Sequence, residues 1–313
     1  MAPIHFGWRA PDWPESNHDT PQFIADIHQN LGVVSEHFAS AWVADHFVPW
    51  GKWTPVETDT VECLTTVAYL AAAYPTLTWG TIVLCQSYRN PALVAKMVAN
   101  LCAFAPGRIV FGIGAGWKED EYRAYGYPFP GAAARIKQLD ETCEIVRRLW
   151  TETPASFAGE HYQIDNAYLN PKPNPIPPFM IGGGGEKLTL RVVAKHADWY
   201  NLPGGSRENY QHKLEVLREH CQAVGTDYDR IVKSWSCDCV AVARSEAEAR
   251  RLAEASAFCG PLSTLIGTPD HIAAELQGWI DIGVTHFQLR FADFPRLEGI
   301  RLFAEEVIPR FRS

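Results

Sequence analysis

The chain has 313 residues, 47% hydrophobic and 20% charged, a balance that supports a large buried core and contains no run of about 18 apolar residues able to cross a bilayer. Lys and Arg number 28 against 36 Asp and Glu, and the net charge of −8 argues against nucleic acid or an anionic membrane as partner and leaves small molecules. Met1 to Arg9 has neither a basic head nor an apolar stretch, so a cytoplasmic protein is expected, and the eight cysteines form no CxxC pair and read as buried thiols, not as a disulfide framework or metal ligands.

Ile4 to Trp8 reads as a short strand, and Thr20 to Phe38 as a helix whose start carries Asp19 and Pro21. Trp42 to Ala44 is a second strand, running into Asp45-His46-Phe47 and a loop that holds Trp50 and Trp53. An Ala-rich helix over Val61 to Tyr74, a β-branched strand from Leu77 to Cys85 and a helix opened by Asn90-Pro91 follow. Arg108 to Ile113 is the fourth strand; it ends at Gly114-Ala115-Gly116-Trp117, and the next helix covers Ala132 to Trp150. Thr151 to Pro178 is irregular, with a hairpin expected over Phe157 to Ile164 and a Pro-rich stiff connection from Pro171.

Phe179 to Leu202 combines three signals. Met180 and Ile181 end an apolar run, and Gly182, Gly183, Gly184 and Gly185 then permit positive φ values and close approach to a ligand. Glu186 is expected to open a helix with an apolar face, whose free N–H groups point back at the glycines in the geometry that holds a phosphate. Ala197 to Leu202 reads as the next strand, and a plain flexible loop is the competing reading of the glycines. A helix over Tyr210 to Ala223, a strand over Ile231 to Val242, helices from Ser245 and from Pro269, a strand over Thr285 to Phe291 and a helix over Leu297 to Phe311 complete the chain.

Eight alternating strands and helices predict an α/β fold, a (β/α)8 TIM barrel in a single domain over residues 1–313 with insertion segments at its C-terminal face; a doubly wound sheet is the alternative. Active sites of such barrels lie at the C-terminal strand ends, which here carry Trp8, Asp45, His46, Cys85 to Ser87, Gly114, Ala115, Gly116, Trp117, Gly182 to Glu186, Asn201 and Arg290. That set suits a flat aromatic cofactor with a phosphate tail better than a metal or a nucleophilic triad. His46 beside Asp45 is placed to exchange a proton near neutral pH, against the plainer reading of a structural histidine. Trp50, Trp53 and Trp117 either wall a substrate pocket or simply pack, and Arg290 either grips an anionic substrate group or pairs with Asp293. HExxH, GxSxG and P-loop motifs are missing, which sets aside zinc peptidases, serine hydrolases and nucleoside triphosphatases.

VADHFVPW at Val43 to Trp50, WGTIVLCQSYRNPALVAK at Trp79 to Lys96, GRIVFGIGAGWKEDEYRAYG at Gly107 to Gly126, the glycine unit, and GTPDHIAAELQGWIDIGVTHFQLRF at Gly267 to Phe291 together resemble the luciferase-like monooxygenase superfamily. Within it they are most similar to the branch that uses the deazaflavin coenzyme F420, with FMN users the alternative. The resemblance implies an oxidoreductase of small organic substrates in which His46 is the acid or base beside the cofactor ring and Asp45 bonds the cofactor or orients His46. It implies cofactor contacts at Ile82, Val83, Ala115 and Gly116, a non-prolyl cis peptide at Ile82-Val83, and the phosphate at Gly182 to Glu186. Substrate is expected near Trp8, Trp50, Trp117 and Arg290. A homodimer is implied too, and a separate flavin reductase if the cofactor is FMN. Trp117 stands where the deazaflavin-dependent sugar-phosphate dehydrogenases carry a glutamate, which points away from a sugar phosphate and towards a more apolar substrate.

Overall fold

The computed structural model describes residues 3–14, 19–50, 54–260 and 263–312. β1 (His5–Arg9) leads into α1 (Thr20–His37), β2 (Ser40–Val43), α2 (Cys63–Ala73) and β3 (Thr78–Thr81). After β4 (Leu84–Cys85) come α3 (Pro91–Phe104), β5 (Ile109–Gly114), α4 (Glu119–Ala124) and α5 (Ala132–Thr151). The hairpin of β6 (Ala155–Ala158) and β7 (Gln163–Ala167) precedes β8 (Phe179–Gly182), α6 (Thr189–His196), β9 (Trp199–Pro203) and α7 (Arg207–Val224). The rest is β10 (Val232–Val242), α8 (Glu246–Ala255), β11 (Thr264–Gly267), α9 (Pro269–Asp281), β12 (His286–Phe291) and α10 (Glu298–Glu306).

The helices begin where local chemistry satisfies their first N–H groups. The Asp19 carboxylate accepts from Gln22 N at α1, Asn90 from Ala92 N at α3, and the Thr268 hydroxyl from His271 N at α9, each with a proline in the first turn. Eight strands follow one another in the ring β1, β2, β3, β5, β8, β9, β10, β12, and β12 returns to β1. Their ladders run parallel, as between His5 and His286, Gly7 and Ser40, Trp79 and Ile109, and Phe111 and Phe179. A ring of this kind is a (β/α)8 barrel, whereas a doubly wound sheet would end in two open edges. The expected strand over Leu77 to Cys85 is split in two by a cis peptide between Ile82 and Val83. β11, four residues beside β10, is unforeseen because so short a run shows no readable alternation.

By internal contacts the chain forms two compact units, the first made of Met1–Glu62, Asn201–His212 and Val232–Ser313, the second of Cys63–Tyr200 and Lys213–Ile231. In the first, Phe6 stacks on Phe287 and meets Phe303 edge-on, both at 5.5 Å, and Trp235 lies over Trp279 at 4.2 Å. Burial of each such ring contributes about 3 kcal/mol before conformational entropy is subtracted. A buried polar layer accompanies them: Asn201 donates to Ser234 Oγ and Gln288 Oε1, both at 3.1 Å, and accepts from Ser236 Oγ. In the second unit Phe111, Trp150 and Phe179 meet edge-on at 5.2 to 5.5 Å, and the Glu141 carboxylate accepts the backbone N–H groups of Glu160, His161 and Tyr162, which pins the β6–β7 hairpin to α5.

One cysteine expectation is corrected. Cys239 of β10 is joined by a disulfide to Cys259, their Cα atoms 4.8 Å apart, while the other six cysteines are buried thiols. The two partners are 20 residues apart and meet only through the fold, so no sequence spacing announces the pair. Among the described residues no helix is long and apolar enough to cross a membrane.

Candidate active site

In the second unit the strand ends are built from backbone and small residues. Val83, just past the cis bond, sits in a notch at the ends of β5 and β8: a Cβ on Gly114 would come within 2.8 Å of Val83 Cγ2, and one on Gly182 within 3.1 Å of Val83 Cγ1. A side chain at Gly114 would force the valine to shift, and one at Gly182 would press it by a few tenths of an ångström, so glycine at both places lets it seat undisturbed. Gly116 packs against Cys85 and Tyr122, whose hydroxyl hydrogen-bonds Cys85 Sγ at 2.9 Å and Ser87 Oγ at 3.0 Å and reaches the Ala115 carbonyl at 3.4 Å. Ile82, Val83, Ala115, Gly116 and Gly182 thus belong to strand ends of one unit.

The glycine run continues into positive-φ backbone at Gly183, where φ is 129°. The helix behind it begins later than the sequence predicts, at Thr189 instead of Glu186, because Glu186 to Leu188 form turns and Leu190 N donates to Gly185 O at 3.0 Å. Glu186 is tied to the helix that follows: Lys213 Nζ donates to its carboxylate, and its carbonyl lies 2.7 Å from His220 Nε2. The Gly182 to Glu186 segment is therefore held at both ends while its backbone, apart from exposed Gly185, is only half-buried.

In the first unit the strand ends carry charge. Asp45 is buried just past β2, and His46 follows, half-buried, with its ring 5.8 Å from that of Trp50. Arg9, the last residue of β1, pairs with the buried Asp238 of β10. Arg290 near the end of β12 stands 3.5 Å from the same carboxylate, and its Nε donates to the Asp238 carbonyl at 3.1 Å. Arg290 does not pair with Asp293, whose carboxylate instead accepts from Gly299 N at 2.8 Å at the start of α10. The Arg290 guanidinium lies over the ring of Trp50 at 4.8 Å and that of Phe258 at 4.9 Å. Burial, with Arg9 alongside, lowers the Arg290 pKa to about 10, which leaves it charged at neutral pH.

The tryptophans expected near substrate differ in setting. Trp8 is fully buried in β1, Trp50 is half-buried against His46 and Arg290, and Trp117 is 64% exposed after β5. Trp53 lies outside the described residues. The sequence reading passed over Arg9, Asp12, Trp13, Asp238 and Phe258, which surround Arg290. One signal was available: Asp238 interrupts the apolar run of β10, and a carboxylate in such a run needs a buried partner.

Comparison with known proteins gives these residues a family. The sequence model of the luciferase-like monooxygenases matches residues 35–263. An F420-dependent glucose-6-phosphate dehydrogenase of Kineococcus radiotolerans is 27% identical over 99% of this chain and 98% of its own length. An FMNH2-dependent dimethylsulfone monooxygenase of Pseudomonas putida is 26% identical over 72% of this chain and 71% of its own. Among solved structures, an F420-dependent secondary alcohol dehydrogenase bound to an F420–acetone adduct superimposes with a TM-score of 0.84 over 99% of this chain and all of that one, at 20% identity, a likeness of fold. With nearly three quarters of its length matched by the family pattern, the chain belongs to the luciferase-like monooxygenase family.

Proposed function

We propose that the protein is an oxidoreductase that binds coenzyme F420 and transfers hydride between it and a small, largely apolar organic molecule. The observation that carries the reading is the end-to-end similarity to F420-dependent dehydrogenases, joined to strand ends that suit such a cofactor. The fit is physical. Val83 in its glycine notch offers a smooth apolar surface to a planar ring, and Gly182, Gly183, Gly184, Gly185 and Glu186 offer backbone N–H groups to a phosphate. When bound, the deazaflavin supplies the hydride chemistry.

The chain's own residues bind, orient and move a proton. Ile82, Val83, Ala115 and Gly116 hold the ring, Asp45 bonds it or fixes His46, and His46 is the acid or base that exchanges the substrate proton. Trp8, Trp50 and Trp117 are proposed to shape the apolar surroundings of the substrate. The FMN alternative retains support from the monooxygenase relative and would need reduced flavin from a separate reductase.

Equilibrium titration of the purified protein with F420 and with FMN, read by thermal shift, separates the two readings because a ligand specific to the native state raises the melting temperature. A shift with F420 alone, without oxygen consumption in its presence, is the expected result. A shift confined to FMN, with oxygen consumed once reduced flavin is supplied, replaces the F420 reading with the monooxygenase one. Light scattering on the same sample tests the proposed homodimer.

A further inference from the structure

The first unit contains a covalent bond that the proposed chemistry does not use. Cys239 of β10 and Cys259, beyond the end of α8, form the disulfide, while the other six cysteines are buried thiols. A chain with six thiols and one disulfide is not built on a disulfide framework, so the bond calls for a local role. Its two partners differ in access. Cys239 is fully buried in a cluster with Ala241 and Ala292, and Cys259 is half-buried where it packs against that cluster. An incoming thiolate therefore reaches the bond from the Cys259 side.

The residues next to the two cysteines meet at one place. Asp238 directly precedes Cys239; its carboxylate pairs with Arg9 and stands 3.5 Å from Arg290 Nη2, and its carbonyl accepts from Arg290 Nε at 3.1 Å. Phe258 directly precedes Cys259; its carbonyl accepts from Arg290 Nη2 at 3.4 Å, and its ring lies 4.9 Å from the guanidinium. The disulfide thus joins the two segments that hold Arg290. Within the second of them Phe258 N donates to Ser256 Oγ at 3.2 Å and Cys259 N to Ser256 O at 3.4 Å, so these bonds close the turn on itself. Hydrogen bonds of 3.4 Å are long and weak, and the covalent link to β10 is a firmer tie than any of them.

We propose that Cys239–Cys259 is a reversible redox site, opened at Cys259 by low-molecular-weight thiols, whose state sets how firmly Phe258 is held on Arg290. A thiolate attacks Cys259 Sγ, the bond to Cys239 Sγ breaks, and Cys239 leaves with the electron pair and takes the proton the attacking thiol gave up. A second thiolate attacks the small-molecule sulfur of the mixed disulfide and releases Cys259, which is protonated in turn. Two thiols are oxidised to one small disulfide while the protein disulfide is reduced to two thiols, and oxidised small disulfide drives the same steps backwards. With the link open, residues 256–260 lose their covalent tie to β10 and the Phe258 contacts with Arg290 loosen. The consequence for substrate rests on the reading that Arg290 lies beside it; the redox site itself does not.

Glutathione, reduced and oxidised, is the probe, used on the folded full-length protein without cofactor. Wild type purified without reductant is expected to show six free thiols on denaturation, eight after incubation with reduced glutathione, and six again after oxidised glutathione. Hydrogen exchange read by mass spectrometry is expected to be at least about tenfold faster over residues 256–260 in the reduced protein, and unchanged over β5. Cys259→Ser should exchange fast there with or without glutathione. Oxidised glutathione should form an adduct on Cys259 in Cys239→Ser and none on Cys239 in Cys259→Ser. If either variant fails a melting control, the thiol count and the exchange rates of wild type decide the matter. Eight thiols in the protein as purified, six remaining after reduced glutathione, equal exchange over residues 256–260 in both states, or an adduct on Cys239 alone would each overturn it. A separate F420 titration keeps the two claims apart. The expected thiol and exchange results with no F420 bound would remove the cofactor reading and leave the redox site, and F420 bound with equal exchange in both states would remove only the redox site.

Discussion

The strand ends of the two units achieve order by opposite means. In the second, β5 and β8 finish in glycines whose missing side chains admit Val83 and leave backbone exposed to a ligand. In the first, β1, β10 and β12 carry Arg9, Asp238 and Arg290, full charges held in place by one another and by the rings of Trp13, Trp50 and Phe258. A backbone site tolerates variation in whatever lies beyond it, provided no Cβ intrudes. A buried charge cluster tolerates almost none, because removal of one member leaves the others desolvated and unbalanced.

The contrast is sharpest under truncation. Asp238→Ala is expected to cost about 3 to 5 kcal/mol, since it strands two buried guanidiniums, and urea denaturation reads the loss directly. A change below about 1 kcal/mol would mean that the cluster is not a mutually dependent set. Gly114→Ala should cost less, about 1 to 3 kcal/mol, by pressing a methyl group against Val83. Val83→Ala in the same chain should recover much of that, and a double-mutant cycle without coupling would contradict the notch.

A gentler probe of the first unit is pH. His286 stands on β12 with its Nε2 3.0 Å from Ser40 Oγ, and burial, with His5 stacked alongside, lowers its pKa to about 3. An unfolded histidine titrates near 6.5, so between these values the unfolded state binds more protons than the native one. The contribution to stability is therefore complete above about pH 6.5 and declines as the pH falls towards 3. His286→Gln is expected to flatten the stability curve over that window by the share of one proton, and parallel curves for variant and wild type would refute the assignment.

What could be read from the sequence divides along the same line. Glycine, proline and strand periodicity act locally, so the eight barrel strands and the position of the glycine run were legible from neighbouring residues, whereas the cis bond at Ile82-Val83 was expected only from the family resemblance. The helix start was misplaced by three residues because Glu186 has helix-forming chemistry yet is drawn to Lys213, a contact 27 positions away. Arg290 offered two readings in sequence, an anion or Asp293, and the partner is Asp238, 52 residues distant and reached only when β10 lies beside β12. Charge pairing and the Cys239–Cys259 disulfide are properties of the closed ring and leave no trace in spacing.

The central claim is that the glycine-built ends hold the cofactor while His46 moves the proton. F420 dissociation constants for Gly183→Val and His46→Ala, measured side by side by fluorescence titration, test it most directly. A bulky side chain at the positive-φ Gly183 is predicted to weaken binding at least about tenfold, with His46→Ala within about threefold of wild type. Undiminished affinity in Gly183→Val, or a loss confined to His46→Ala, would contradict the account.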